Sequence, residues 1–255
     1  MAVVHSNPRL GENKAKRGRS HDSTLIRQYS PRDSDGVLPL FTLNSQTGIV
    51  SGADDGIGLA VVGALAEAGA KVRAETIGKK LGVKAAAYQV DVISQKAVQE
   101  AVGSVVSEFR DRLDIKVANY GIPWTRGAML DTSEEGFDHY RKIITTDVDS
   151  HFRHQGSGSF ISTANMSGHI AIIPELQTTV FDYLKGLSVH PGHIPTKICD
   201  FVPDETKDIW KVKIPFGKLS ELPSSRERLV NPLKGAYLYL ASDAAAYTLT
   251  DIIVD

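Results

Sequence analysis

Residues 47–69 read TGIVSGADDGIGLAVVGALAEAG, and their pattern decides the fold. TGIVSGA (47–53) is a short β-rich run ending near a glycine, the profile of a buried parallel strand. From Gly56 the period changes. Ile57, Ala60, Val61, Ala64, Leu65 and Ala68 fall on one face of a helix that Gly69 stops. Gly52, Gly56 and Gly58 lie at the junction. Glycines there allow a tight turn and let a pyrophosphate approach the backbone, where a helix N-terminus offers free N–H groups and positive partial charge. A glycine turn without any ligand is the plainer reading of the same residues. Asp54 and Asp55 put negative charge on the loop, which opposes phosphate binding unless they face solvent.

Working outward, strands and helices alternate. KAAAYQVDV (84–92), LDIKVANYG (113–121) and GSFISTANMSG (158–168) read as strands or strand-to-loop junctions. Val98, Ala101, Val102, Val105, Val106 and Phe109 recur at helical spacing over 94–110. LKGAYLYLASDAA (233–245) reads as helix, and DIIVD (251–255) as a last strand. Such alternation predicts an α/β fold, a doubly wound parallel sheet with helices on both faces.

Residues 1–36 differ, with seven Lys/Arg against four Asp/Glu and little hydrophobic periodicity. This segment is expected to be a disordered polar tail ahead of one domain spanning 37–255. It has no apolar signal core, and Glu12, Asp22, Asp33 and Asp35 argue against a mitochondrial presequence. The net charge of −1 over 255 residues makes no case for nucleic acid or a membrane surface as partner. Cys199 is the single cysteine, so an internal disulfide is impossible and a reducing, cytoplasmic setting is expected. Five of the eight histidines lie in 151–193, yet HFRH and HPGH match no ligand framework, so no metal is expected. No Gly-x-Ser-x-Gly elbow surrounds Ser167, which leaves a serine hydrolase unsupported.

SGADDGIG, VDV (90–92), VANYG (117–121), STANMSG (162–168), HPGHIPT (190–196) and YLASDAAAY (239–247) follow in the order found in short-chain dehydrogenases/reductases. With NYGIPWTRGAML, MSGHIAIIPELQ and ETKDIWKVKIPFGK added, residues 37–255 resemble the fungal NADP-dependent mannitol dehydrogenases and sorbose reductases. The resemblance implies a Rossmann-like sheet, NADP(H) ahead of NAD(H), and a small carbonyl, ketose or polyol substrate. It also implies that Gly52, Gly56, Ile57 and Gly58 line the pyrophosphate, Asp91 and Val92 the adenine, and Asn119 and Gly121 the ribose. Pro191, Gly192, Ile194 and Thr196 hold the nicotinamide carboxamide on the same basis. Ser167 matches the serine that hydrogen-bonds the substrate carbonyl. Asp147 stands where relatives carry a proton-relay asparagine. Relatives form dimers and tetramers, so a homo-oligomer is a further implication.

The resemblance breaks at its chemical centre. The tyrosine and lysine expected four residues apart after Ser167 fall on Val180 and Leu184. Aligning VFDYLKGLSV (180–189) with the later half of the next helix removes the whole Tyr-x-x-x-Lys segment. The other alignment keeps Tyr183 and Lys185 as a pair, but residues at i and i+2 diverge on a helix. Further segments are short. The second strand after AGAKV (68–72), most of a helix after TTDVD (145–149) and the strand after Val189 are all expected to be missing, leaving the sheet incomplete. Arg73 remains near the lost strand as a 2′-phosphate contact or, more plainly, a solvated side chain. Clean losses between intact flanks fit mis-assigned exon boundaries or a decaying gene. The alternative to an active reductase is therefore a non-catalytic, nucleotide-binding pseudoenzyme.

Overall fold

The computed structural model describes residues 2–5, 36–70, 85–91, 94–108, 112–121, 158–164, 187–192, 194, 196–200, 202–213, 226–246, 248 and 251–254. Among them the strands are β1 (Ala2–His5), β2 (Thr47–Val50), β3 (Ala85–Ala87), β4 (Ile115–Ala118), β5 (Ser159–Thr163), β6 (Leu187–Pro191) and β7 (Asp251–Val254). The α-helices are α1 (Gly56–Glu67), α2 (Gln95–Glu108), α3 (Asp204–Lys213) and α4 (Arg226–Ala241). The strands form one sheet in the order β3-β1-β2-β4-β5-β6-β7.

Strand β2 is buried along its whole length because successive residues face two different covers. Val50 belongs to a core with Val61, Val62 and Leu65 of α1 and Leu233, Tyr237 and Leu240 of α4. Ile49 belongs to the other, with Val98, Val102 and Val105 of α2 and Leu113. The sheet is therefore wound on both faces, as the alternation of elements predicts. From β2 through β4, β5, β6 and β7 every neighbour runs parallel. At the amino edge of the sheet the buried Asp114 carboxylate accepts the Thr47 N–H at 2.9 Å and the Arg112 Nε–H at 3.1 Å, fixing the start of β2 against β4.

Two expectations need correcting. The strand before the Pro-Gly turn is present: Leu187–Pro191 forms β6, held parallel between β5 and β7. A helical reading of VFDYLKGLSV had consumed its first half, but pairing on both sides overrides the weak local preference of LSVH. The tail is also not structureless throughout, because Ala2–His5 forms β1. It runs antiparallel to both β2 and β3, pairing Ala2 with Val50 and His5 with Thr47 on one side and Val3 with Ala86 on the other. Residues 6–35 lie outside the described set.

The physical reason for β1 lies in the gap between β2 and β3 that it occupies. Without a strand between β2 and β3, the backbone donors and acceptors along β2 would lack partners in a buried setting. The β-branched pair Val3-Val4 supplies a segment that pairs on both edges, and it need not run parallel to do so. Proline at Val3 removes a donor from the middle of this strand. Val3→Pro is expected to lower Tm by at least roughly 2–4 °C relative to Val3→Thr, corresponding to about 1 kcal/mol. Equal melting of the two variants in a calorimeter would reject β1 as the strand that fills the gap.

Candidate functional site

The carboxyl edge of the sheet gathers the glycine turn, the end of β4 and the segment after β6. Gly52 and Gly56 have φ of +59° and +57°, so the turn from β2 into α1 passes twice through backbone space that suits glycine. Gly58 is glycine for a different reason. A Cβ there would stand 2.1 Å from the Gly52 carbonyl oxygen and 2.6 Å from Asn119 Nδ2. The first turn of α1 therefore rests directly on the loop that precedes it.

Asn119, just beyond β4, clamps this loop. Its Nδ2 donates to the carbonyls of Ser51 and Gly52, both at 3.2 Å. Its backbone N–H donates to Ser51 Oγ at 3.0 Å. The amide oxygen accepts from Thr163 Oγ1 at 3.2 Å. Since the Thr163 proton is used there, the Tyr237 hydroxyl, 2.6 Å from Thr163 Oγ1, is the donor of that pair. Burial of Tyr237 pushes its pKa above the usual phenol value, which keeps it protonated for this role. A directed chain thus runs from Tyr237 in α4 through Thr163 and Asn119 to the glycine turn. It fixes which way the Asn119 amide faces.

The opposite lip comes from β6. Gly192 donates its N–H to Val254 O at 2.7 Å, Ile194 to Gly192 O at 2.9 Å, and Thr196 to Ile194 O at 2.8 Å. Ile194 packs on the α1–α4 core, and this anchors the segment. Thr196 arrives with its Cγ2 3.1 Å from the position of a Cβ on Gly56. Next to it, Lys197 Nζ lies 2.7 Å from Asp55 Oδ2. Cys199 Sγ–H donates to the Ile194 carbonyl at 3.6 Å, and burial pushes its thiol pKa up, so the group acts as a turn support rather than a thiolate.

Gly52, Gly56, Ile57, Gly58, Asn119, Pro191, Gly192, Ile194 and Thr196 thus share one edge of the sheet. Asn119 spends its amide on the loop, a positioning role beyond the ribose contact expected of it. Asp91 and Gly121 occupy exposed positions beyond the ends of β3 and β4, and the Asp91 carbonyl accepts the Ser94 N–H at 3.2 Å. Val92, Asp147 and Ser167 lie outside the described residues, as do Tyr183 and Lys185. Sequence reasoning did not find Ser51, Thr163, Tyr237 or Lys197. Tyr237 reads only as a core aromatic of a helix, and nothing local marks Lys197 as the partner of Asp55. Asp55 does not face solvent alone; its charge is paired.

At the amino edge, Ser188 Oγ stands 2.9 Å from His190 Nε2 and donates to Asp251 Oδ1. Serine sits between histidine and aspartate, whereas nucleophile activation needs histidine in the middle. This cluster ties β6 to β7.

Comparison with known proteins names the class. The family profile described as Enoyl-(Acyl carrier protein) reductase matches residues 52–173. L-xylulose reductase of Hypocrea jecorina is 43% identical over 275 residues, covering 86% of this chain and 92% of the relative. A sorbose reductase of Candida albicans is 36% identical, covering 89% and 91%. Among solved structures, the NADPH-dependent 3-quinuclidinone reductase of Rhodotorula rubra superposes with a TM-score of 0.73 at 25% identity, covering 89% of this chain and 96% of that one. The chain belongs to the short-chain dehydrogenase/reductase family of oxidoreductases, alongside its fungal mannitol dehydrogenase and sorbose reductase-like members.

Two glycines of α1 separate turn packing from helix propensity. Gly58→Ala forces a methyl against a backbone carbonyl and is expected to destabilise by about 1–3 kcal/mol. Gly63→Ala places its methyl 3.7 Å from Lys234 Nζ, an ordinary contact, and is expected to stabilise by about 0.5–1 kcal/mol. Thermal unfolding of both variants checks the pair; a shift of the same sign for both would contradict this packing.

Proposed function

We propose that this chain is an NADP(H)-dependent oxidoreductase acting on a ketose, a polyol or another small carbonyl or alcohol. The observation that carries the reading is the clamped glycine turn, with no capping bond from the Asp55 side chain to α1. Without that bond the first turn offers backbone N–H groups to an anion, and Gly58 provides the close backbone approach that a pyrophosphate requires. The names of the relatives, L-xylulose and sorbose reductases and an NADPH-dependent ketone reductase, support the substrate class and the cofactor.

In this reading Gly52, Gly56, Ile57 and Gly58 line the pyrophosphate, and Asn119 holds their loop in shape. Asp91, Val92 and Gly121 belong to the adenosine side. Pro191, Gly192, Ile194 and Thr196 form the lip toward the nicotinamide, whose bound form supplies the hydride. Ser167 holds the carbonyl oxygen, with Asp147 in the relay position. The single cysteine supports a cytoplasmic setting.

Proton delivery is the weak link. Of the eight tyrosines, none has a lysine four residues further on. Loss of a positioned acid–base group typically costs about 10²–10⁴ in rate. The protein is therefore expected to bind NADPH and to oxidise it slowly with L-xylulose, sorbose, fructose or a diketone. Fluorescence titration with NADPH and an NADPH-oxidation assay check this, with Ser167→Ala abolishing the residual rate. Absence of NADPH binding would overturn the reading. Binding without turnover would replace the reductase with a non-catalytic nucleotide-binding protein.

A further inference from the structure

We infer that Lys197 is a positioning residue that keeps the nucleotide site open by holding Asp55 away from the N-terminus of α1. The inference rests on the dinucleotide reading above. Asp55 is the residue preceding the first turn of α1, with extended backbone angles of −155° and 175°. Aspartate at such a position ordinarily folds its carboxylate over the helix end and accepts the second or third N–H of the first turn. Here it makes no capping bond. Its Oδ2 lies instead 2.7 Å from Lys197 Nζ, across the gap between the glycine turn and the segment after β6.

The two alternatives for this carboxylate have opposite consequences for an anion. Folded over the helix end, Asp55 would take up the N–H groups that phosphate oxygens need, and would add a like charge beside them. Turned toward Lys197, it leaves those groups to the ligand, and its charge is offset by the ammonium. Lys197 is placed to do this by anchored backbone. The backbone bonds from Ile194 to Gly192 and from Thr196 to Ile194 fix the segment, Thr196 packs against Gly56, and the Lys197 carbonyl accepts the Asp200 N–H at 3.1 Å. A sequence with two aspartates in its glycine loop thereby remains compatible with a phosphate-bearing cofactor.

The test uses the full-length protein, NADPH titrations and melting curves without cofactor. Lys197→Ala releases Asp55 to cap α1, so NADPH affinity is expected to fall roughly tenfold, in line with a cap's typical worth. Its Tm should meanwhile hold or rise, since a helix gains its cap. Asp55→Ala is expected to bind NADPH at least as tightly as the unaltered chain. The double variant Asp55→Ala/Lys197→Ala should recover most of the affinity lost in Lys197→Ala. Opposite movement of affinity and Tm, followed by rescue, is a signature that a merely structural ion pair does not give. Unchanged affinity in Lys197→Ala overturns the inference, and so does a loss that Asp55→Ala fails to rescue, which would make Lys197 a direct phosphate contact. NADPH binding by the unaltered chain separates these outcomes from failure of the dinucleotide reading itself, which would show as no binding at all.

Discussion

The contact between the Gly58 backbone and the Gly52 carbonyl constrains everything at the carboxyl edge of this sheet. A side chain at Gly58 has nowhere to go, with the carbonyl oxygen 2.1 Å from its Cβ position. That closeness brings the first turn of α1 down onto the loop that follows β2. A junction so tight leaves buried carbonyls on the loop, and Asn119 satisfies them from β4. The orientation of Asn119 is set in turn by Thr163 on β5 and Tyr237 on α4. Residues of β5 and α4 and the one just beyond β4 thus share the work of holding one turn, each supplying a hydrogen bond that would be costly to leave unmade.

The same logic of satisfied backbone explains the far edge. The sheet does not stop at β2, because β2 has covered faces and needs partners along its length. Ala2–His5 provides them in the antiparallel sense and links β2 to β3. Side-chain content matters less here than the ability to donate and accept on both edges, which is why a short segment far away in sequence suffices.

Much of the fold was legible because periodicity carries it. The helix over 56–69 follows from Ile57, Val61, Ala64 and Leu65, and the structure ends it at Glu67 just before Gly69. The change at Gly56 from a short β-rich run to a 3.6-residue period marks the turn before any contact is known. The β6 strand was hidden because LSVHP has no clear alternation and follows a helix-like run. Residues Ala2–His5 were hidden because four residues within a polar segment carry no periodic signal of their own. At the site, the glycines announced themselves by spacing, whereas Lys197 and Tyr237 had nothing to distinguish them from a surface lysine and a core aromatic.

By itself, the amino-acid sequence determined the α/β class, the glycine turn and the absence of a tyrosine followed four residues later by lysine. These are local properties, written in neighbours and spacings along the chain. Tertiary structure alone decided which strand completes the sheet, which way the Asn119 amide faces, and where the Asp55 carboxylate goes. Each of those depends on groups brought together from distant positions, Val3 with Ala86, Asn119 with Tyr237 through Thr163, and Asp55 with Lys197. Hydrogen bonds and ion pairs across such separations are selected by the folded backbone, which fixes distance and direction that no one-dimensional pattern encodes.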